Sequence, residues 1–169
     1  MSINLIENQT ISIDERRIIL QYMLKKAGEI EHARMLHAML AILQKNLEKK
    51  VDMGYEFREY VEGCYSDQVF EDINCLINVG FASVKGHFKH VYRLTDFGRM
   101  DFDWLKKDKL KQEIKEEVDK VVKEYTKKEL MDVVDEVREL CINYEDLFEK
   151  YKEDKDVQLI INGTRKENM

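Results

Sequence analysis

The chain has 169 residues, 44% of them hydrophobic and 37% charged, with no proline and only 7 glycines. So little punctuation in a chain of this length predicts long helices around a sizeable core. Lysine and arginine number 28 against 34 aspartates and glutamates, for a net charge of −6, which excludes a uniformly basic nucleic-acid binder but leaves room for a local basic patch.

No apolar run approaches the roughly 20 residues that a bilayer demands. The start, MSINLIENQT, lacks the basic and apolar stretches of a signal peptide. A cytoplasmic protein without membrane contact is expected. Cys64, Cys75 and Cys141 form no CxxC pair, so buried reduced thiols are expected in place of a disulfide framework or a zinc site.

In chain order, Ser12-Ile-Asp-Glu15 fits a capping box, and Leu20, Met23, Leu24 and Ala27 follow at helical spacing until Gly28. A second helix is predicted over about 31–48, with Leu36, Met39, Leu40, Leu43 and Leu47 on one face. Residues 51–65 are aromatic and glycine-marked, suiting a short strand or an ordered loop. Ser66 is placed to cap a third helix over about 67–79, burying Val69, Phe70, Ile73, Leu76 and Ile77. After Gly80 come FASV, a Lys85-Gly86-His87 turn and FKHVYRL, which alternate as a β-hairpin does. Phe88, His90, Tyr92 and Leu94 fall on one face of its second strand. Three helices and then a hairpin is the order of a winged helix-turn-helix.

The string Tyr55-Glu-Phe57, Tyr60, Gly63-Cys-Tyr65-Ser66, then Leu76 and Gly80-Phe81, then Tyr92-Arg-Leu94-Thr95 and Gly98 resembles a group of uncharacterised prokaryotic winged-helix proteins. A more distant likeness is to Panacea antitoxin domains. The resemblance covers about residues 12–105, and Cys64 stands where that pattern has proline. It implies a winged-helix domain that contacts DNA or a protein partner. On physical grounds Thr95 can cap the next helix, and Gly98 lets that helix start close against the hairpin.

For duplex DNA the hairpin, or wing, offers Lys85, His87, Lys89 and Arg93, with His90 beside them. Arg16, Arg17, Lys25 and Lys26 on the first helix, with Lys45, Lys49 and Lys50 after the second, add further cations. The third helix offers only Gln68, Asn74 and Asn78 to read bases, and carries Asp67, Glu71 and Asp72 with no cation at all. A wing-led grip on the DNA backbone is the first reading. A protein-interaction module, antitoxin-like, whose acidic third helix meets a basic partner is the second.

The character changes near residue 105, dividing the chain into a winged-helix domain over 1–104 and an α-helical dimerisation region over 105–169. Phe97, Met100 and Trp104 are expected to pack back onto the first domain. Ile114, Val118, Val121 and Tyr125 then mark one helix, about 105–125. Leu130, Val134, Val137, Cys141, Tyr144, Phe148 and Tyr151 mark another, about 127–152, opened by a Thr126-Lys-Lys-Glu129 capping box. One long helix with a register slip is the alternative. The second seam suits a coiled coil or helical hairpin that pairs two copies, as two half-sites would require. The tail at 157–161, VQLII, can pair with Ile3–Ile6 or stay loose. No nucleotide loop, nucleophile elbow or metal-ligand spacing occurs, so neither an enzyme nor a cofactor is expected.

Overall fold

The first helix opens where Ser12 allows it: the serine hydroxyl accepts a hydrogen bond from the Glu15 amide at 3.1 Å. This helix, α1 (Ile13–Ala27), ends at Gly28, whose φ of 75° suits glycine and lets its amide return to the Leu24 carbonyl. The computed structural model describes residues 9–60 and 63–141. These are mostly helical, with six α-helices and three small sheets among the described residues. Ile19, Leu20, Met23 and Leu24 are wholly buried, because α1 is enclosed on several sides by the elements that follow.

Strand β1 (Gln9–Thr10) runs parallel to β3 (Val51–Asp52). Between them come β2 (Ile30–Glu31) and α2 (Ala33–Leu47), whose Leu36, Met39, Leu40, Leu43 and Leu47 enter the core as their spacing demands. The segment 51–65 also supplies a small antiparallel hairpin of β4 (Arg58–Tyr60) and β5 (Gly63–Tyr65). Helix α3 (Asp67–Asn78) buries Val69, Ile73 and Leu76 against the core, while Phe70 stays partly exposed. It leads into β6 (Ala82–Lys85) and β7 (Val91–Leu94), which pair antiparallel from Ala82↔Leu94 to Lys85↔Val91. Strand β2 joins β7 antiparallel, giving a three-stranded sheet in the order β2-β7-β6. Tyr92 and Leu94 turn inward as the alternation predicts. Phe88 and His90 do not, because β7 begins only at Val91 and both lie in the exposed turn 86–90.

Thr95 closes the hairpin and opens α4 (Asp96–Asp101). Its hydroxyl donates to the Gly80 carbonyl at 2.5 Å and accepts from the Gly98 amide at 2.9 Å. A Cβ at position 98 would collide with the Phe81 carbonyl, so this close approach needs glycine. A π-helical turn (Phe102–Lys106) and a short 3-10 turn (Lys107–Lys109) follow. The expectation that Phe97, Met100 and Trp104 pack back onto the first domain is corrected for Met100 and Trp104, which are exposed; Phe97 keeps one side in solvent but rests its ring 5.2 Å from that of Phe81, and Phe102 enters the core, stacked on Tyr22.

Helix α5 (Gln112–Tyr125) begins later than the sequence suggests, because Leu110 leaves helical geometry to bury its side chain. Helix α6 (Leu130–Val137) is separate from it and gives way to a 3-10 turn (Arg138–Leu140) and an extended Cys141. The register break between Tyr125 and Leu130 therefore marks two helices. Thr126 does not cap the second; its hydroxyl bonds back to the Val122 carbonyl at the end of the first. Ile114, Val118, Val121 and Tyr125 pack into the same core as α1 and α2, and so do Val133 and Val137 of α6. Val134 is also buried, whereas Leu130 and Cys141 are half-buried. Tyr144, Phe148 and Tyr151, the continuation of that helix to 152, and the Ile3–Ile6 and 157–161 segments lie outside the described residues.

Cys64 on β5 and Cys141 after α6 are joined as a disulfide, with Cα atoms 6.2 Å apart, whereas Cys75 is free. Spacing along the chain hid this pair, since the fold alone brings it together across 77 residues. Unfolded without reductant, the protein should titrate one thiol, and after reduction three. Opening a link of that span by Cys64→Ser should lower the unfolding free energy by about 4.5 kcal/mol in urea titrations, the loop-closure value. Three reactive thiols without reductant would overturn the pairing.

Candidate nucleic-acid interface

The third helix is positioned by what lies beneath it. Ser66 precedes α3, but its hydroxyl donates to Gln68 Oε1 at 2.7 Å in place of capping the helix. The same Gln68 oxygen accepts from the Glu56 amide at 3.2 Å. A residue expected to read bases is thereby committed to local structure. The Ser66 amide donates to His37 Nδ1 at 3.0 Å, and the His37 ring packs between Tyr65 and Phe70, with centroids 5.0 and 4.4 Å away. Burial pushes the His37 pKa down to about 3, so it is the neutral acceptor of that bond.

Asp72 is the main departure from the sequence reading. The acidic face of α3 was expected to expose it beside Asp67 and Glu71, yet its side chain has no solvent exposure. Arg16 donates to it through Nε at 2.6 Å and Nη2 at 3.1 Å. Arg17 Nε donates at 3.0 Å and the Tyr55 hydroxyl at 2.8 Å. The Arg16 guanidinium also lies 4.6 Å from the Tyr55 ring centroid. Burial alone would lower the Arg16 pKa, but the Asp72 hydrogen bond and charge outweigh it and hold the cation. Burial, with the Asp72 charge behind it, lifts the Tyr55 phenol well above its usual range. Arg16 and Arg17 are thus structural counterions, and the outward face of α3 reduces to Asp67, Glu71, Asn74 and Asn78, with Phe70 at its edge.

On the hairpin Lys85, His87, Lys89 and Arg93 are all exposed, as is Phe88 at the tip. Two of the cations are already paired across the sheet. Lys89 Nζ lies 2.6 Å from Glu31, and Arg93 is hydrogen-bonded to Glu29. The Lys89 hydrogen bond holds the Glu31 carboxyl below its ordinary pKa. Lys85 has no ion-pair partner among the described residues. The His32 amide donates to the His90 carbonyl at 2.7 Å, closing a cleft of about 340 Å³ between the hairpin turn and the start of α2. Glu29 and Glu31 were the site residues that sequence reasoning missed. The alternation Glu29-Ile30-Glu31, with Ile30 buried, was the signal that a strand precedes α2.

Among the described residues no group of three His, Cys, Asp or Glu side chains could hold a metal, and no helix is long and apolar enough to cross a membrane. No protein-family model, curated protein or solved structure matches the chain.

Two outcomes are expected. Asp72→Ala should cost about 3–5 kcal/mol in equilibrium unfolding, because it leaves a buried guanidinium unpaired, whereas Glu71→Ala should change stability by less than about 0.5 kcal/mol. Equal effects would refute the buried cluster. His37 carries a pH signature: unfolded it titrates near 6.5, folded near 3, so between those values only the unfolded chain takes the proton. Its contribution is complete above pH 6.5 and is lost at about 1.4 kcal/mol per unit as pH falls toward 3. His37→Gln keeps an acceptor for Ser66 and should remove that part of the slope. An unchanged slope would mean that His37 is charged in the fold.

Proposed function

We propose that the chain is a winged helix-turn-helix protein that binds duplex DNA as a dimer, led by its hairpin and not by α3. The observation that carries this is the β2-β7-β6 sheet, which places one strand between the first two helices and leaves a hairpin tip free in solvent. Set aside the small β1-β3 and β4-β5 pairs, and the order α1, β2, α2, α3, β6, β7 matches that of a winged helix, which supports the reading. Lys85 and His87 reach phosphates directly, and Lys89 and Arg93 do so by exchanging Glu31 and Glu29 for the backbone. Surface pairs of this kind are worth about 1 kcal/mol or less, so phosphate can displace the carboxylates. Phe88, fully exposed between His87 and Lys89, suits a minor-groove contact, where apolar side chains wedge against base steps. Helix α3 supports the wing, because its outward Asp67 and Glu71 repel phosphate.

A second reading has its own observation. Asp67 and Glu71 on α3 offer exposed carboxylates to a basic protein, and so do Glu29 and Glu31 beside the hairpin once Arg93 and Lys89 release them. Duplex binding measured against salt separates the two. Alanine at Lys85, Lys89 and Arg93 should weaken retention on all sequences and flatten the logarithmic salt slope by roughly 2 to 3 per subunit. Glutamine at Glu29 and Glu31 should strengthen binding, since it frees Arg93 and Lys89 for phosphate. Absence of salt-sensitive retention at low ionic strength, in the wild type and in the Glu29→Gln/Glu31→Gln variant alike, would leave the protein-interaction reading.

A further inference from the structure

Helix α4 and its π turn are amphipathic in the wrong sense for a helix on a monomer's surface. Their inward side is largely polar. The buried Gln21 amide donates to the Gly98 carbonyl at 2.8 Å and to Asp101 at 3.0 Å. Lys106 returns to Asp101 at 2.5 Å and to Gln21 Oε1 at 3.0 Å, a spacing of five residues that the π turn supplies. Only Phe102 adds apolar burial on that side. Outward stand Phe97, Met100, Trp104 and Leu105, exposed by 58, 45, 76 and 67%. Rotating the helix to hide them would break the Gln21 network and drive a side chain into the Phe81 carbonyl that Gly98 now accommodates.

We propose that this outer face is where two copies of the chain pair, antiparallel about Met100. The inference shares the dimer of the DNA-binding reading but does not depend on DNA. Three features favour a second copy as the occupant. The stripe repeats at 97, 100 and 104, so a two-fold axis near Met100 sets Phe97 of one copy against Trp104 of the other. Arg99 flanks it with no ion-pair partner among the described residues, and the same axis brings it beside Asp103 of the other copy, whose carboxylate the Lys25 ammonium holds in place within its own chain. The four side chains expose roughly 500 Å² per copy, so pairing buries about 1,000 Å², the size at which specific interfaces begin. The helical seam that sequence spacing marks for pairing does not compete for this role at Val134 and Val137, which are buried within their own chain.

Trp104 is the single tryptophan and therefore reports on the surface directly. Sedimentation of the full chain at tens of micromolar should give twice the 20.2 kDa monomer mass. Acrylamide quenching of Trp104 should rise several-fold on dilution as the dimer dissociates. Met100→Glu, at an exposed position that leaves the fold intact by circular dichroism, should halve the mass and expose Trp104 at every concentration. Arg99→Glu, which sets a like charge against Asp103 of the other copy, should weaken the dimer at least tenfold. A wild type monomeric at 100 micromolar overturns the proposal, and so does a Met100→Glu protein that keeps the dimer mass. A monomer in which Trp104 is nonetheless shielded overturns it too, assigning the stripe to residues 142–169 of the same chain. Duplex retention is measured separately: a monomer that still retains duplex in a salt-sensitive way overturns the pairing on α4 and leaves the hairpin contact standing, whereas a dimer without such retention does the reverse.

Discussion

A carboxylate with no solvent contact must be met by donors, and Asp72 is met by four from three side chains. Arg16 and Arg17 come from α1, Tyr55 from the segment after β3, and Asp72 itself from α3. One buried charge therefore ties together three stretches that are far apart in the chain. Burying such a cluster gains little over a well-packed apolar one, but it admits one orientation only. With α3 fixed on α1 in this way, the hairpin that follows α3 has its position set, and β2 can join its edge.

The same helix holds a second polar anchor. Gln21, five residues beyond Arg16, binds the Gly98 carbonyl and Asp101 and so fixes α4. Helix α1 thus works as a rod with an ionic clamp for α3 at one level and an amide clamp for α4 at the next. The hairpin β6-β7 runs between the two clamped helices. This explains why α1 is buried on nearly every side, and why an arginine and a glutamine sit among its most buried residues. Its surroundings fix it by specific bonds as much as by apolar packing.

What was legible in the sequence was local. Ser12 and Thr95 marked helix starts through bonds that span three residues, and the alternation of Tyr92 and Leu94 gave the inward face of β7. The periodic leucines of α2 named their own core face. What was not legible depends on contacts between distant residues. Asp72 resembles any solvated helix carboxylate until Arg16, 56 residues earlier, is placed beside it. Cys64 and Cys141 carry no mutual spacing signal. Helix α4 misled for a different reason: periodicity identifies an apolar face but not which way it points, and here Gln21, Asp101 and Lys106 claim the inside. The candidate wing cations were readable as residues, whereas their neutralisation by Glu29 and Glu31 required the edge strand that pairs with β7.

The hairpin and the outer face of α4 are mechanically one piece, and this couples the two proposals. From β7 the chain passes through Thr95, whose amide, hydroxyl and cap bonds hold it to Phe81, Gly80 and Gly98, directly into α4. No glycine-rich or polar linker separates Arg93 from Phe97. A dimer built on α4 therefore carries its two wings at a separation set by rigid backbone, with little freedom to adapt. DNA bound by such a pair would be read through half-site spacing more than through base contacts, because the cations proposed to grip the backbone lie on the hairpin while α3 offers few donors. Binding would tolerate base changes within each half-site and would fall sharply when the half-sites are moved off the helical repeat. A dimer joined through a long C-terminal helix would instead allow the wings to swing and would accept several spacings. The rigidity of the Thr95 junction is what separates these two designs.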